Sequence, residues 1–363
     1  MQVADRNAVC IGAGITGVLA ARELLLAGWG VTILEGRHVG AGSSSRTAAG
    51  IRQQFSTPDT VRGMRYAVSF FEAFRSEVED GSSPIIQNGY LFLHSDPAAW
   101  ESAKGLVEVQ RSCGLAEVEA LESDALRERF PWVSESAIVG GTHCPTDGFL
   151  LPHLVYNEGA RRVRELGGQI VQGAPVQGTV DDGQRIRELV TPRGTFGADL
   201  FIDCTNAWTR RTSAVLGAED LQVDPLKRYL WFLSRGGSMS SETLASMPLV
   251  VGPSGVYCRP ENAETLLVGK KHDTLPEPDF AYDDQDRVEQ RFSHHGGVDA
   301  IPYTVWGELA EALPPVGEFA GFASTTCGYY GTTPDHNPFF GYDRQRPNLI
   351  RLVGFSGHGA VNG

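Results

Sequence analysis

Ala8-Val9-Cys10-Ile11-Gly12-Ala13-Gly14-Ile15-Thr16-Gly17, carried on through Val18 to Gly28 and closed by Val31-Thr32-Ile33-Leu34-Glu35, decides the fold of this chain. Ala8 to Ile11 is a short apolar run of strand character. Ile15, Val18, Leu19, Leu25 and Leu26 recur at helical spacing, which predicts a helix after the glycines. Val31 to Leu34 is a second strand, and an acid follows it. Strand, G-x-G-x-x-G, helix, strand, acid is the context that turns a glycine pattern into a dinucleotide fingerprint. Gly12 serves the tight turn, Gly14 the close approach of backbone to a pyrophosphate, and Gly17 the packing of helix on strand. The free N–H groups of the helix N-terminus and the positive end of its dipole face the phosphates. Glu35 accepts from ribose hydroxyls and repels a 2′-phosphate, which disfavours NADP.

Working outward, Gly36 to Gly50 is rich in Gly and Ser (Gly40-Ala41-Gly42-Ser43-Ser44-Ser45-Arg46-Thr47) and follows directly on the ribose-binding strand. That position favours a ligand-wrapping loop over a linker. Arg52 comes next, and Val61 to Val78 reads as an amphipathic helix. Strands are expected at Ile85-Ile86 and Tyr90 to Leu93 around Asn88-Gly89, and helices at Pro97 to Ser112, Ser123 to Arg129 and Leu151 to Leu166. Gln169 to Val171, Pro175 to Gln177 and Leu200 to Asp203 read as strands. Between Leu221 and Gly269 short strands separated by polar gaps suggest an antiparallel sheet and a second domain. A helix is expected over Asp283 to His294, strand over Phe319 to Tyr330, and a terminal strand at Leu349 to Val353 ahead of Gly354-Phe355-Ser356-Gly357-His358-Gly359.

The 363 residues suffice for a sizeable core and two domains. The net charge of −13, without a dense Lys/Arg cluster, argues against nucleic acid as a partner. Six cysteines lie scattered with no C-x-x-C pair, so no metal site or disulfide framework is expected. Met1 to Asn7 is polar and runs straight into the first strand, and no apolar run approaches the ~20 residues of a membrane span. A cytoplasmic setting is expected.

These segments together resemble the FAD-dependent D-amino-acid oxidase and sarcosine-oxidase-like superfamily. Four anchors carry the resemblance over nearly the whole chain: the fingerprint with Glu35; Thr146-Asp147-Gly148-Phe149-Leu150-Leu151-Pro152; Phe201-Ile202-Asp203-Cys204-Thr205-Asn206-Ala207-Trp208; and Thr333-Pro334-Asp335-His336-Asn337-Pro338 with the terminal glycine loop. Arg52-Gln53-Gln54-Phe55-Ser56 looks most like the branch of mitochondrial FOXRED-type and dimethylglycine-dehydrogenase-like proteins. The resemblance implies an α/β fold: a Rossmann-like FAD-binding domain (1–85, 143–220 and 325–363) with an antiparallel-sheet α+β substrate domain (86–142 and 221–324). It implies FAD held by Ile11, Gly12, Gly14, Ile15, Thr16 and Gly17; by Glu35, Gly36 and Arg37; by Gly42, Ser43, Ser44, Ser45 and Arg46; by Ala49, Gly50 and Ile51; by Val176, Cys204, Thr205 and Trp208; and by Gly354 to Gly359 (Gly354, Phe355, Ser356, Gly357, His358, Gly359). The backbone N–H groups of that last loop are expected on the N1/O2 edge of the flavin.

The reaction implied is hydride transfer from the carbon beside an amine nitrogen to flavin N5, giving an imine that hydrolyses. Arg52 matches the family's carboxylate-holding arginine, its fork suited to bidentate pairing. Tyr257 and Tyr330 match cavity-lining tyrosines, and His358 is a candidate catalytic group. The chain departs from sarcosine-type relatives in three places. Ala360-Val361 replaces a second carboxylate-anchoring lysine. Leu267 replaces the lysine that assists oxygen, with Lys270 and Lys271 nearby. Cys327 stands one residue out of register with the covalent-flavin cysteine, a position taken by Gly328. Non-covalent FAD is therefore expected, with a link at Cys327 as the other possibility. The substrate is expected to be an anionic amine or N-substituted amino acid, with oxygen or another carrier as electron acceptor and a homo-oligomer or partner subunit possible. An accessory flavin-binding subunit without turnover and an NAD-dependent dehydrogenase are the alternatives.

Overall fold

The parallel strands Asn7–Ile11, Gly30–Glu35, Gln169–Gln172, Leu200–Asp203 and Leu349–Val353 build one sheet in a computed structural model that describes residues 6–362. The sheet has six strands. Its order runs Phe339–Tyr342, Leu349–Val353, Leu200–Asp203, Asn7–Ile11, Gly30–Glu35, Gln169–Gln172, and only the first of these is antiparallel to its neighbour. Both faces are covered, which is why the strands read as unbroken apolar runs. Ala8, Cys10 and Ile33 pack beneath the helices Ile15–Leu26, Pro58–Phe74 and Pro152–Glu165, while Val9, Ile11 and Leu34 pack on the opposite side with Ile186 and Leu189.

A second sheet has eight strands in the order Gly321–Thr332, Asp224–Ser234, Thr265–Lys270, Val256–Asn262, Leu249–Val251, Tyr90–His94, Gly140–Cys144, Glu119–Glu122. All its pairs are antiparallel except Leu249–Val251 with Tyr90–His94. Alternation along the strands gives each face its own task. Tyr229, Trp231, Cys258, Leu266, Val268 and Cys327 turn into the larger core with the helix Ile301–Ala312. Leu230, Phe232, Tyr257 and Leu267 turn the other way, towards Ala48. A small sheet of Gly50–Ile51, Gly148–Leu150 and Ile85–Ile86 lies between the two large ones in sequence and delivers Arg52 and Asp147 from neighbouring strand ends.

Three expectations need correction. Residues 283–294 are not one helix. Two short 3-10 turns, Tyr282–Asp286 and Gln290–Phe292, stand there, because Asp283, Asp284 and Asp286 leave no apolar stripe to bury. The helix of this region is Ile301–Ala312, opened by Pro302 and buried along Val305, Leu309 and Ala312. Pro175 to Gln177 is not a strand: the N–H of Ala174 donates to the Glu35 carbonyl at 2.8 Å, and the segment crosses the sheet's end before Gly178–Asp181 begins. The strand Gly321–Thr332 also runs across the boundary expected at 324/325. Among the described residues no helix is long and apolar enough to cross a membrane, no cluster of side chains could hold a metal, and all six cysteines are buried and free.

Candidate functional site

The fingerprint closes on itself through backbone. Gly12 has φ +101°, and a Cβ there would lie 3.2 Å from the Cys204 carbonyl oxygen. A Cβ on Gly17 would sit 1.9 Å from the Gly12 oxygen, so only glycine lets the helix start so close to the strand. Glu35 accepts from the Ala13 and Arg37 N–H groups, both at 2.8 Å. Burial raises its carboxyl above the ordinary value while those two bonds pull the other way. The acid is thus fixed at the strand end with lone pairs left for a ligand.

From Glu35 a groove runs in two directions. One arm passes Gly36, Val176 and Arg211 under Trp208 and Tyr282. The other passes Gly12, Gly14, Thr16 and Ser43 to Tyr330 and Gly357, and there meets a third hollow of about 280 Å³. Arg52, Tyr257, Tyr330 and His358 all line that hollow, with Phe55, Tyr90 and Phe92. The long groove fits a dinucleotide: a glycine cradle that a Cβ would fill, a fixed acid, and a buried Trp208 Nε1 with no hydrogen-bond partner among the described residues. The terminal hollow then holds whatever faces the ring.

Most of the residues named from sequence line this path: Ile11, Gly12, Gly14, Ile15, Thr16, Glu35, Gly36, Gly42, Ser43, Ser44, Ala49, Gly50, Val176, Cys204, Thr205, Trp208 and the loop from Phe355 to Gly359. Six do not. Gly17 serves packing alone. Ile51 is fully buried in the core. Arg37 offers its backbone N–H to Glu35, and its side chain lies 3.9 Å from Asp286. Ser45 bonds the Gly42 carbonyl. Arg46 donates to Ala41 O, Gly42 O and Asp286, and so holds the loop together. Gly354 gives its N–H to Asn206 Oδ1 at 3.0 Å.

The terminal loop requires a further correction. The N–H groups of Gly354 and Phe355 go to Asn206 Oδ1, that of Ser356 to Gly331 O and that of His358 to Phe355 O. Of the N–H groups expected at the flavin edge, those of Gly357 and Gly359 have no such partner among the described residues. Asn206, with φ +46°, is the residue that orders this loop. Its role was readable only as part of the Asn206-Ala207-Trp208 turn.

In the hollow, the Arg52 guanidinium carbon lies 4.1 Å from the centroid of Phe55 and 5.2 Å from that of Phe92. No carboxylate comes within 4.0 Å of it among the described residues. Burial holds the Tyr257 and Tyr330 phenols neutral. His358 stands edge-on to Phe55 at 5.7 Å. Burial, with Arg52 and His336 nearby, depresses it to about 4, so the imidazole is neutral at pH 7. Leu267 is buried facing Ala48, and Lys270 pairs with Glu308 at 2.5 Å from the opposite face. Cys327 lies in the core on the face away from the groove, donating to Gln285 O at 3.0 Å, its thiol pushed up to about 11 by burial.

Sequence reasoning missed the cover of the groove. Tyr282 stacks on Trp208 at 5.3 Å and 21°, and Phe280 on Tyr329 at 3.9 Å. Asp286 ties this strap to Arg46 at 2.6 Å. An aromatic doublet among acids, Phe280-Ala281-Tyr282-Asp283-Asp284, was the available signal.

Comparison with known proteins agrees with this geometry. The model of the DAO family, described as FAD dependent oxidoreductase, matches residues 7–363. The chain is 25% identical over 357 residues to "FAD-dependent oxidoreductase domain-containing protein 1" of Xenopus laevis, covering 87% of this chain and 67% of that one. It is 24% identical to the mitochondrial dimethylglycine dehydrogenase of Homo sapiens, over 99% of this chain and 42% of that one. Among solved structures it superposes on L-proline dehydrogenase from P. horikoshii with a TM-score of 0.85 at 26% identity, covering 98% and 90% of the two chains.

Proposed function

This chain belongs to the DAO family of FAD-dependent oxidoreductases, and from that premise we propose that it oxidises an amine or N-substituted amino acid that carries a carboxylate. The observation that carries the reading is Arg52: a guanidinium without an anionic partner, set between two aromatic rings in a hollow that opens from the end of the dinucleotide groove. FAD, when bound, supplies the acceptor for a hydride from the carbon beside the amine nitrogen. The groove residues would hold it: Glu35 at the adenosine ribose, the turn from Gly12 to Gly17 and Ser43-Ser44 at the pyrophosphate, Gly357 and Gly359 at the ring edge.

The chain's own residues then position the substrate. Arg52 takes the carboxylate bidentately, and its aromatic neighbours fix the plane of the fork. Tyr257 and Tyr330 wall the hollow as neutral phenols and keep water off the reacting carbon. His358, neutral, can accept or donate one hydrogen bond but brings no charge. The imine product hydrolyses in water. The flavin is held without a covalent bond in this reading, since Cys327 faces the core. Electrons pass to a carrier other than oxygen: Leu267 and the pairing of Lys270 with Glu308 leave no lysine ammonium beside the hollow among the described residues. The segments 6–85, 143–220 and 333–362 supply most of the cofactor groove together with Arg52 and His358 of the hollow, and 86–142 with 221–332 supply Tyr257 and Tyr330.

Anaerobic mixing of the yellow holoenzyme with a panel of N-methyl and N-alkyl amino acids tests the reading. Bleaching by carboxylate-bearing amines, and not by the matching amines without carboxylate, is expected. A panel that leaves the absorbance untouched removes the enzymatic reading and favours a flavin-binding accessory subunit.

A further inference from the structure

Asp147 is a buried charge beside the substrate hollow, and nothing in the reaction uses it. It is fully buried, and no lysine, arginine or histidine comes within 4.0 Å among the described residues. Uncharged groups satisfy it: the amides of Gln53 and Gln54, with the Cys144 thiol beside them. Oδ1 accepts from the Gln53 backbone N–H at 2.8 Å and from Gln53 Nε2 at 2.9 Å, and Oδ2 accepts from Gln54 Nε2 at 3.1 Å. Both glutamines are buried. Gln53 Nε2 also reaches Thr146 Oγ1 at 3.0 Å, and Gln54 Nε2 reaches the Tyr90 carbonyl at 2.9 Å. Ile51 pairs with Gly148 in the small sheet, so Arg52 and Asp147 leave adjoining strand ends. An unpaired anion and an unpaired cation are thus joined by the two residues that follow Arg52.

We propose that Asp147 is a positioning residue of the substrate site: by gripping Gln53 and Gln54 it fixes the turn that presents Arg52, and so sets how tightly a carboxylate is held. The proposal rests on the reading of Arg52 given above. A carboxylate is suited to the task because it accepts on both oxygens, whereas a neutral acid or an amide must turn one position into a donor facing a buried N–H. The titratable groups around it are the Cys144 thiol and the Tyr90 phenol, each pushed up to about 12 by burial and so neutral, and the Arg52 guanidinium. Burial raises Asp147 itself from the ordinary carboxylate range to about 6, against the pull of its amide bonds. It is therefore ionised at pH 7.5 and largely protonated at pH 5.

Charge and position make opposite demands, which gives the test its sign. Through space, the Asp147 anion opposes a second anion at Arg52, so neutralising it would tighten carboxylate binding if charge alone acted. If Asp147 acts by holding the turn, neutralising it weakens binding. The experiment titrates FAD-loaded protein with methoxyacetate, which carries a carboxylate and no oxidisable amine, and with neutral methoxyacetamide, by calorimetry and by the shift of the flavin bands. For Asp147→Asn, methoxyacetate is expected to bind about tenfold more weakly, within the range for buried donors left without an acceptor, with methoxyacetamide and FAD retention unchanged. In the wild type, methoxyacetate binding is expected to weaken as pH falls through about 6 while methoxyacetamide binding stays flat; this arm stands even if the variant fails to fold. Unchanged or tighter methoxyacetate binding in Asp147→Asn, an equal loss for both ligands, or a flat wild-type profile overturns the proposal while leaving Arg52 as the anchor. A wild type that binds methoxyacetate no better than methoxyacetamide overturns both.

Discussion

The stretch from Gly12 to Glu35 stands at the middle of the groove and the hollow around Arg52 at one end of it, and the two are built in different ways. The turn works through backbone: the absence of side chains at Gly12 and Gly17, and N–H groups bonded to one carboxylate. Its parts lie within one short stretch of chain. The hollow works through side chains delivered from distant strands, Arg52 from one sheet and Tyr257 and Tyr330 from another, with His358 from the terminal loop. A backbone site leaves a local pattern in the sequence. A side-chain site leaves single letters whose meaning depends on register, since a slip of one residue sends each of them to the other face.

The comparison breaks most visibly at Gly17. Gly17→Ala puts a methyl 1.9 Å from a backbone oxygen that has nowhere to move. A loss of about 4 kcal/mol in folding stability is expected, beyond the ~1–3 kcal/mol usual for overpacking among side chains. Urea unfolding with FAD present measures it, and a variant that melts like the wild type shows that the turn can relax and that the backbone description is wrong. At the hollow, Arg52→Ala should leave folding alone and lower the second-order rate of flavin reduction by roughly 2–4 kcal/mol, with Arg52→Lys close behind, because an ammonium cannot reproduce the fork. Equal reduction by variant and wild type removes the anchor.

Those two outcomes also explain what was legible. Strand, glycine turn, helix and acid could be read because each obeys a local rule, and the observed helix Ile15–Leu26 and strand Gly30–Glu35 stand within a few residues of the expected ones. Arg46 reads as a cofactor residue because its sequence neighbours are glycine and serine; its charged partner, Asp286, is 240 residues away. The terminal loop looked like a row of free donors because sequence cannot show that Asn206 already takes two of them. Cys327 and Gly328 show the effect of register most plainly: one residue apart, they face the core and Arg46 respectively. Asp147 was visible as part of a family motif, but its hold on Gln53 and Gln54 spans 94 and 93 residues and leaves no local trace.

A smaller effect is expected at Glu35, where both kinds of site meet. Its side chain acts on ligand, yet it is oriented by the backbone N–H groups of Ala13 and Arg37. Glu35→Gln keeps the shape but turns an NH2 towards one of those donors. FAD retention should weaken by roughly 1–3 kcal/mol, the range for a charged hydrogen bond, measured by equilibrium dialysis of the reconstituted protein. Unchanged affinity would mean that the two N–H groups, and not a ribose, are the acid's whole purpose.

The smallest effect sharpens the comparison at the groove's cover. The strap from Phe280 to Asp286 is a side-chain device laid over a backbone site: Tyr282 stacks on Trp208, and Asp286 reaches Arg46 and, at 3.9 Å, Arg37. Asp286 is about half exposed, with a side-chain relative area of 52%. Solvent screens such a pair, and exposed ion pairs contribute only about 0.2–1 kcal/mol. The aromatic stack contributes about 0.5–1.5 kcal/mol beyond the area it buries. If the ion pair is merely the outer end of a strap held down by Tyr282, Asp286→Ala should quicken FAD release by less than about fivefold, with the gain fading at high salt, and Tyr282→Ala should quicken it more, with no dependence on salt. Stopped-flow release into excess apoprotein of another flavin binder reads both rates. The reverse order would place closure of the groove in the Arg46–Asp286 contact, and would make the loop from Gly40 to Thr47 a partner of the strap as much as a ligand for phosphate.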